Sequence, residues 1–400
     1  MTNSASFHTV PQQRRAALGL TAAPTLDSWQ LPIDNRWAFR HIEELLPSAV
    51  VARARQEDVP RSLGLGRVTG AVPGLDEAGL ERHLDSLFTD GLVVEHRGAI
   101  VAEYYAAGFG PDSTHLLMSV SKSLCSITVA ALIDDGLIDP ARTAETYVPE
   151  LVGSAYGDAT VRELLDMTAA ADYSEDYTDS SSEVQAQDRA AGWRTPITGD
   201  ASDTYEFLSR LRRSREHGEK FEYCSATTDA LGWIIEAVTG LRYAEVLSDR
   251  LWSRLGASAD ARIAVDRGGC AIANAGISCT ARDLARVGRL MLGGGQIDGR
   301  RVISERWVAE TMAGGDHEKW LGCAKIAVFP GGSYRNQWWS TGNARGNVYA
   351  VGIHGQYIWL DPSTDTVITK FSTAPAPTSM DDTRAHAALF EGISRALEGR

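Results

Sequence analysis

Cysteine is scarce in these 400 residues: there are five, scattered and odd in number, with no Cys-x-x-Cys pair. That excludes a disulfide framework and a thiolate zinc site, and it fits a reducing cytoplasm. Long apolar runs are missing too. The most apolar stretch, LCSITVAALI, stops at Asp134 and Asp135, well short of the roughly 18 residues of a membrane helix. The first twenty residues hold neither a signal-length apolar segment nor a small-residue cleavage site, so export is not expected. Basic blocks are absent; the formal charge is −13 and the arginines are dispersed, a balance that repels phosphate backbones and excludes nucleic acid as a partner. The chain also lacks Gly-x-Ser-x-Gly, Gly-x-x-x-x-Gly-Lys, Gly-x-Gly-x-x-Gly after a strand, and His-Glu-x-x-His. Nine histidines without ligand spacing give no support for a metal, and no cofactor is expected.

What is present is an ordinary globular composition, 44% hydrophobic and 23% charged, long enough for one large catalytic unit or two packed lobes. The first eighty residues show no clear period, and their aromatic stretch from Trp29 to Phe39 reads as a leader laid over a later core. From Leu92, LVVEHRGAIVAEYY alternates and breaks at Arg97-Gly98, a hairpin signal. SVSKSLCSITVAALIDDG then has helical spacing and ends at Gly136. Further helical patterns run over 160–167 and 204–211, separated by long polar loops such as 173–188 of the kind that bind ligands. Two helices divided by Gly240 follow, then one capped by Thr280. NVYAVGIHGQYIWLDPSTDTVITKFST predicts two strands joined at Asp361-Pro362-Ser363, with a final helix from Arg384. Strands early and late with helices between predict one sheet split in sequence and an inserted helical lobe. The expected divisions are 1–135, 136–263 and 264–400.

Ser119-Val120-Ser121-Lys122 lies where a loop becomes that first helix, and the three-residue step places Ser119 and Lys122 on one face of its first turn. A desolvated lysine can lose its proton and serve as base for the serine, while the helix N-terminus offers N–H groups to an oxyanion. Of the five lysines, Lys122 alone has a serine three residues before it. Tyr223-Cys224-Ser225 precedes a long helix; a phenol beside an ammonium can be lowered in pKa and act as general base. Gly352-Ile353-His354-Gly355-Gln356 opens a strand whose N–H groups can complete an oxyanion hole. Taken singly, each has a plain structural explanation: a helix cap with a solvated lysine, a ring packed on the core, a bulge.

In combination, Ser119-x-x-Lys122, Tyr223-x-Ser225 and the late Gly/His strand resemble the serine β-lactamase, DD-peptidase and esterase superfamily, from about Leu92 onward. PTLDSW, NRWAF, HLLMSVSKSLC, SEDY, QDRAAGWRT, YCSA, CTARDLARVG, QWW and GIHGQ are similar to its nylon-oligomer-hydrolysing branch over nearly the whole chain. The resemblance implies an α/β (α+β) serine β-lactamase-like fold, an antiparallel sheet flanked by helices plus a mostly helical lobe. It implies Ser119 as nucleophile, Lys122 and Tyr223 as proton handlers, and the N–H groups of Ser119 and Ile353 as oxyanion hole, with Gly355 as the alternative to Ile353. It further implies Tyr177 over the scissile amide, Asp188 on a substrate ammonium, Asn274 in the pocket and Trp193 as an apolar wall, with Ser225 and His354 also in contact with substrate. The partner is then a small amide, and the chain a cytoplasmic homodimer. Three departures weaken the β-lactamase and peptidase readings: Asp166-Met167-Thr168-Ala169 replaces His-Thr-Ser-Gly, Tyr-x-Ser replaces Tyr-x-Asn, and Lys-Thr-Gly is missing. A carboxylesterase and a non-catalytic ligand-binding protein of the same fold remain as alternatives.

Overall fold

Arg97 and Gly98 both take positive φ, 51° and 79°, the geometry of a two-residue hairpin turn whose twist matches its strands. They join β1 (Thr89–His96) to β2 (Ala99–Tyr105), as the alternation predicts. This is a computed structural model, and it describes residues 16, 19, 20, 22–54 and 63–399. Most of the segment on which the export reading rests lies outside the described residues.

The remaining strands of the main sheet come from the far end of the chain: β3 (Ser333–Arg335), β4 (Trp338–Ser340), β5 (Val348–Gly352), β6 (Gln356–Asp361) and β7 (Thr366–Ser372). All seven are antiparallel, in the order β2-β1-β7-β6-β5-β4-β3. The sequence reading of 347–373 as two strands is corrected to three. Its missing turn is Ile353-His354-Gly355, where His354 and Gly355 have φ of 62° and 94° and reverse the chain between Gly352 and Gln356.

Because side chains alternate, each central strand feeds two cores. Val93, Val367 and Ile358 face one side, against the helices α1 (Val120–Asp134) and, further along the chain, Ala281–Leu292. Leu92, Val94 and Ile368 face the other, against Leu389, Phe390 and Ile393 of the C-terminal helix Met380–Leu397. That helix starts before Arg384, at a Ser379 cap followed by Asp381 and Asp382, which suit the positive end of its dipole.

Between the two parts of the sheet come α2 (Glu183–Ala190) and α3 (Ser225–Thr239). Gly240, with φ of 66°, ends α3 as the sequence predicts. A second sheet of four short strands, Ser48–Val51, Ala261–Ala264, Ile277–Cys279 and His115–Leu116, ends directly before α1. The leader packs here: Trp29, Trp37 and Phe39 form one buried cluster with Leu116, Met118 and Trp193. The carbonyl of Phe39 accepts the Leu116 N–H at 2.8 Å.

Candidate active site

Met118 sets the position of the serine. Its φ of 47° is a left-handed conformation that costs a non-glycine residue about 1–3 kcal/mol, and it turns the chain from the short strand at 115–116 into the head of α1. Ser119 sits at that head. One turn on, the Lys122 side chain is buried, and its three ammonium directions are all taken: Ser119 Oγ at 2.8 Å, Ser225 Oγ at 3.1 Å and the Asn274 carbonyl at 3.0 Å. Burial draws the Lys122 pKa down to about 8, against the opposing pull of Glu175 and Asp229.

Tyr223 comes to the same pair from the residues just before α3. Its ring lies 5.2 Å from Lys122 Nζ, and Ser119 is near enough to favour loss of its phenol proton. The sequence reading had this phenol acidified by the lysine. Burial first, and Glu175 second, push its pKa well above the usual phenol value, the direction opposite to that expectation.

Glu175 is a residue the sequence reading missed. It accepts the Ser225 N–H at 2.9 Å, the Ser225 hydroxyl at 2.5 Å and the Tyr177 phenol. Ser225 thus donates to the carboxylate and accepts from Lys122. Asp229, a turn into α3, was missed as well. It takes the Asn274 N–H at 2.9 Å and the Asn274 side-chain amide at 2.7 Å, which aims the Asn274 carbonyl at Lys122. Gly232 permits this, since a Cβ there would stand 2.9 Å from Ala273 Cβ. Burial raises the Asp229 pKa to about 6. No sequence spacing announces either carboxylate; only the fold brings them to the lysine.

Gly352 brings the end of β5 against the serine turn. A Cβ on it would lie 2.5 Å from the Leu117 carbonyl oxygen and 3.0 Å from Ser119 N, so no side chain fits. Among the described residues, neither the Ser119 nor the Ile353 N–H has a backbone acceptor, whereas the Gly355 N–H is given to Gly352 O at 3.2 Å. His354 does not line the site. Its Nδ1 lies 2.7 Å from the Ala374 carbonyl, its ring meets Phe39 edge-on, and burial lowers its pKa to about 4. The substrate contact expected of it is replaced by a structural one.

Two chambers meet at Ser119, Tyr177 and Ile353. The larger, about 550 Å³, is walled by Tyr223, Trp339 and Lys325 among others. The smaller, about 20 Å³, has room for about one water and holds Asp188, Trp193, Ser225 and Asn274. Asp188 is already engaged there with Arg194 at 3.0 Å; burial raises its pKa, and Arg194 opposes the rise.

The β-lactamase family model matches residues 79–392. The chain belongs to the β-lactamase family. Within it, the chain is 53% identical, over 94% of each sequence, to the 6-aminohexanoate-dimer hydrolase of Paenarthrobacter ureafaciens. A solved structure from Bacillus anthracis, proposed to be a 6-aminohexanoate-dimer hydrolase, superposes with a TM-score of 0.83 at 26% identity, covering 94% of this chain and 99% of that one. A family VIII carboxylesterase shares the fold at 16% identity, with a TM-score of 0.62 over 84% of this chain and 99% of its own.

Proposed function

We propose that this chain hydrolyses linear amides of the 6-aminohexanoate-dimer class through an acyl-enzyme on Ser119. The observation that carries the reading is the 2.8 Å contact between Lys122 Nζ and Ser119 Oγ, with the Tyr223 ring 5.2 Å from the same ammonium. Neutral Lys122 takes the Ser119 proton as Oγ attacks the amide carbon. The oxyanion forms between the Ser119 and Ile353 N–H groups. The carbon–nitrogen bond then breaks, the departing nitrogen takes a proton from Tyr223, and Lys122 restores it to the phenol. Water, deprotonated by the same amine, releases the acyl group.

The chambers give the substrate a direction. Tyr223, the donor to the leaving nitrogen, lines the large one, so the amine half lies there; Asp188 lines the small one, so the acyl half and its ammonium lie there. Reception of a five-methylene acyl chain requires the small chamber to widen, and Tyr177 and Trp193 are the walls that must give way. Tyr177 is then placed over the scissile amide. The reading carries with it a homodimer and a cytoplasmic location, the latter in keeping with five free cysteines.

The test is product analysis by mass spectrometry after incubation with the linear dimer. Wild-type protein is expected to release 6-aminohexanoate and to gain the mass of a fluorophosphonate at Ser119. Ser119→Ala is expected to do neither, with a fall in kcat on the order of 10⁶. Wild type that turns over p-nitrophenyl esters and leaves the dimer intact is a carboxylesterase. Wild type that is never labelled is a binding protein.

A further inference from the structure

Lys325 is an ammonium that the mechanism above does not use. Its Nζ lies 4.8 Å from the centre of the Trp339 ring and 5.9 Å from that of Tyr349, on the wall of the large chamber. Among the described residues no carboxylate pairs with it, and the group that offsets its burial is the Cys323 thiol. The charges on the chamber nearest the serine are already occupied. Lys220 faces Glu222 at 3.3 Å, Glu222 also holds Arg215, and Glu175 is bound to Ser225 and Tyr177. Asp382, on the same chamber, has no ion pair among the described residues, and its charge is felt by Lys370. A cation set against aromatic faces and left without a counter-ion is a vacant half of an ion pair.

From this geometry we infer that Lys325 and Trp339 form a subsite for the terminal carboxylate of the substrate's leaving half. The inference rests on the amide-hydrolase reading for its substrate and goes beyond it in assigning a second charged end. The distances agree. Trp339 stacks on Tyr223 with ring centres 5.2 Å apart, so the path from the proton donor to the Lys325 ammonium is two ring contacts in series. The six bonds from an aminohexanoate nitrogen to its carboxylate carbon have the length of two extended residues, about 7 Å, which takes the carboxylate over Trp339 to the lysine. The methylenes lie on the indole face, and the two ends of a dimer meet charges of opposite sign, Asp188 at one and Lys325 at the other.

Lys325→Met keeps the aliphatic stem over Trp339 and removes the charge; Lys325→Arg keeps the charge. Two measurements follow. First, kcat/KM is compared for the linear dimer and for the same dimer with its carboxylate capped as the primary amide. Wild type and Lys325→Arg are expected to favour the free acid by about 10- to 100-fold, the worth of one charge-assisted contact, and Lys325→Met to treat the two alike by losing activity on the free acid alone. Second, ester hydrolysis is inhibited with hexanoate and with hexanamide. Hexanoate is expected to be the stronger inhibitor of wild type and to lose that advantage in Lys325→Met. Equal response of wild type and Lys325→Met to hexanoate and hexanamide overturns the carboxylate subsite. A dimer left uncleaved by a wild type that still prefers hexanoate overturns the amide reading instead and leaves the subsite standing.

Discussion

Lys122 makes a pH prediction with a definite sign. The amine must be unprotonated to accept the serine proton, and burial brings its pKa to about 8. Ester hydrolysis should therefore rise about tenfold per pH unit on the acid side and level off above pH about 8. A profile flat from pH 6 to 9 would show that another group is the base. The same shift affects folding. The native lysine gives up its proton near pH 8 while the unfolded one holds it to about 10.5. Unfolding therefore takes up a proton between those values, and this residue's contribution to stability grows as pH rises across that window. Of the residues around it, Ser119 was legible as a partner because three residues is nearly one helical turn. Glu175 and Asp229 were not, because they lie 53 and 107 positions away from Lys122 and meet it only through the loop before α2 and the first turns of α3. Lys325 carried no motif at all; its isolation from carboxylates exists only in three dimensions.

At the level of elements, the tight meeting of β5 with the serine turn is the contact on which the proposed oxyanion site depends. In Gly352→Ala the new methyl must push the strand off the Leu117 carbonyl, since backbone on both sides cannot rotate away. The expected result is a loss of about 10²–10³ in kcat with the circular-dichroism spectrum retained, the scale of removing one oxyanion donor. Unchanged kcat would place the oxyanion elsewhere. Elements with a local signal were legible: the Arg97-Gly98 hairpin, the α3 stop at Gly240 and the Thr280 cap each follow from a dipeptide or a single side chain. The 353–355 turn was hidden, because Gly352-Ile353-His354-Gly355-Gln356 keeps strand-like alternation through a reversal that tertiary contact with Leu117 and Pro377 enforces.

For the molecule as a whole, the leader is part of the core that supports the serine, although its sequence has no period. Trp29 is 1% exposed, its indole N–H is donated to the Trp193 carbonyl at 2.8 Å, and its ring meets Trp193 edge-on. Trp29→Ala should cost about 3–5 kcal/mol, read by urea unfolding. A loss below about 1 kcal/mol would make the leader dispensable. Periodicity could not find it because its elements, such as the helix Asp34–Ala38 and the strand Ser48–Val51, are too short to repeat a buried face.

The serine turn is held from three directions: Phe39 from the leader, Ile277 from the middle of the chain, and Gly352 near its end. On the ribosome these arrive in that order, the last more than three hundred residues after the first, and the strand that separates β1 from β6 is the last strand made. Nascent chains should thus remain inert until synthesis has passed the closing strand, with competence arriving in one late step.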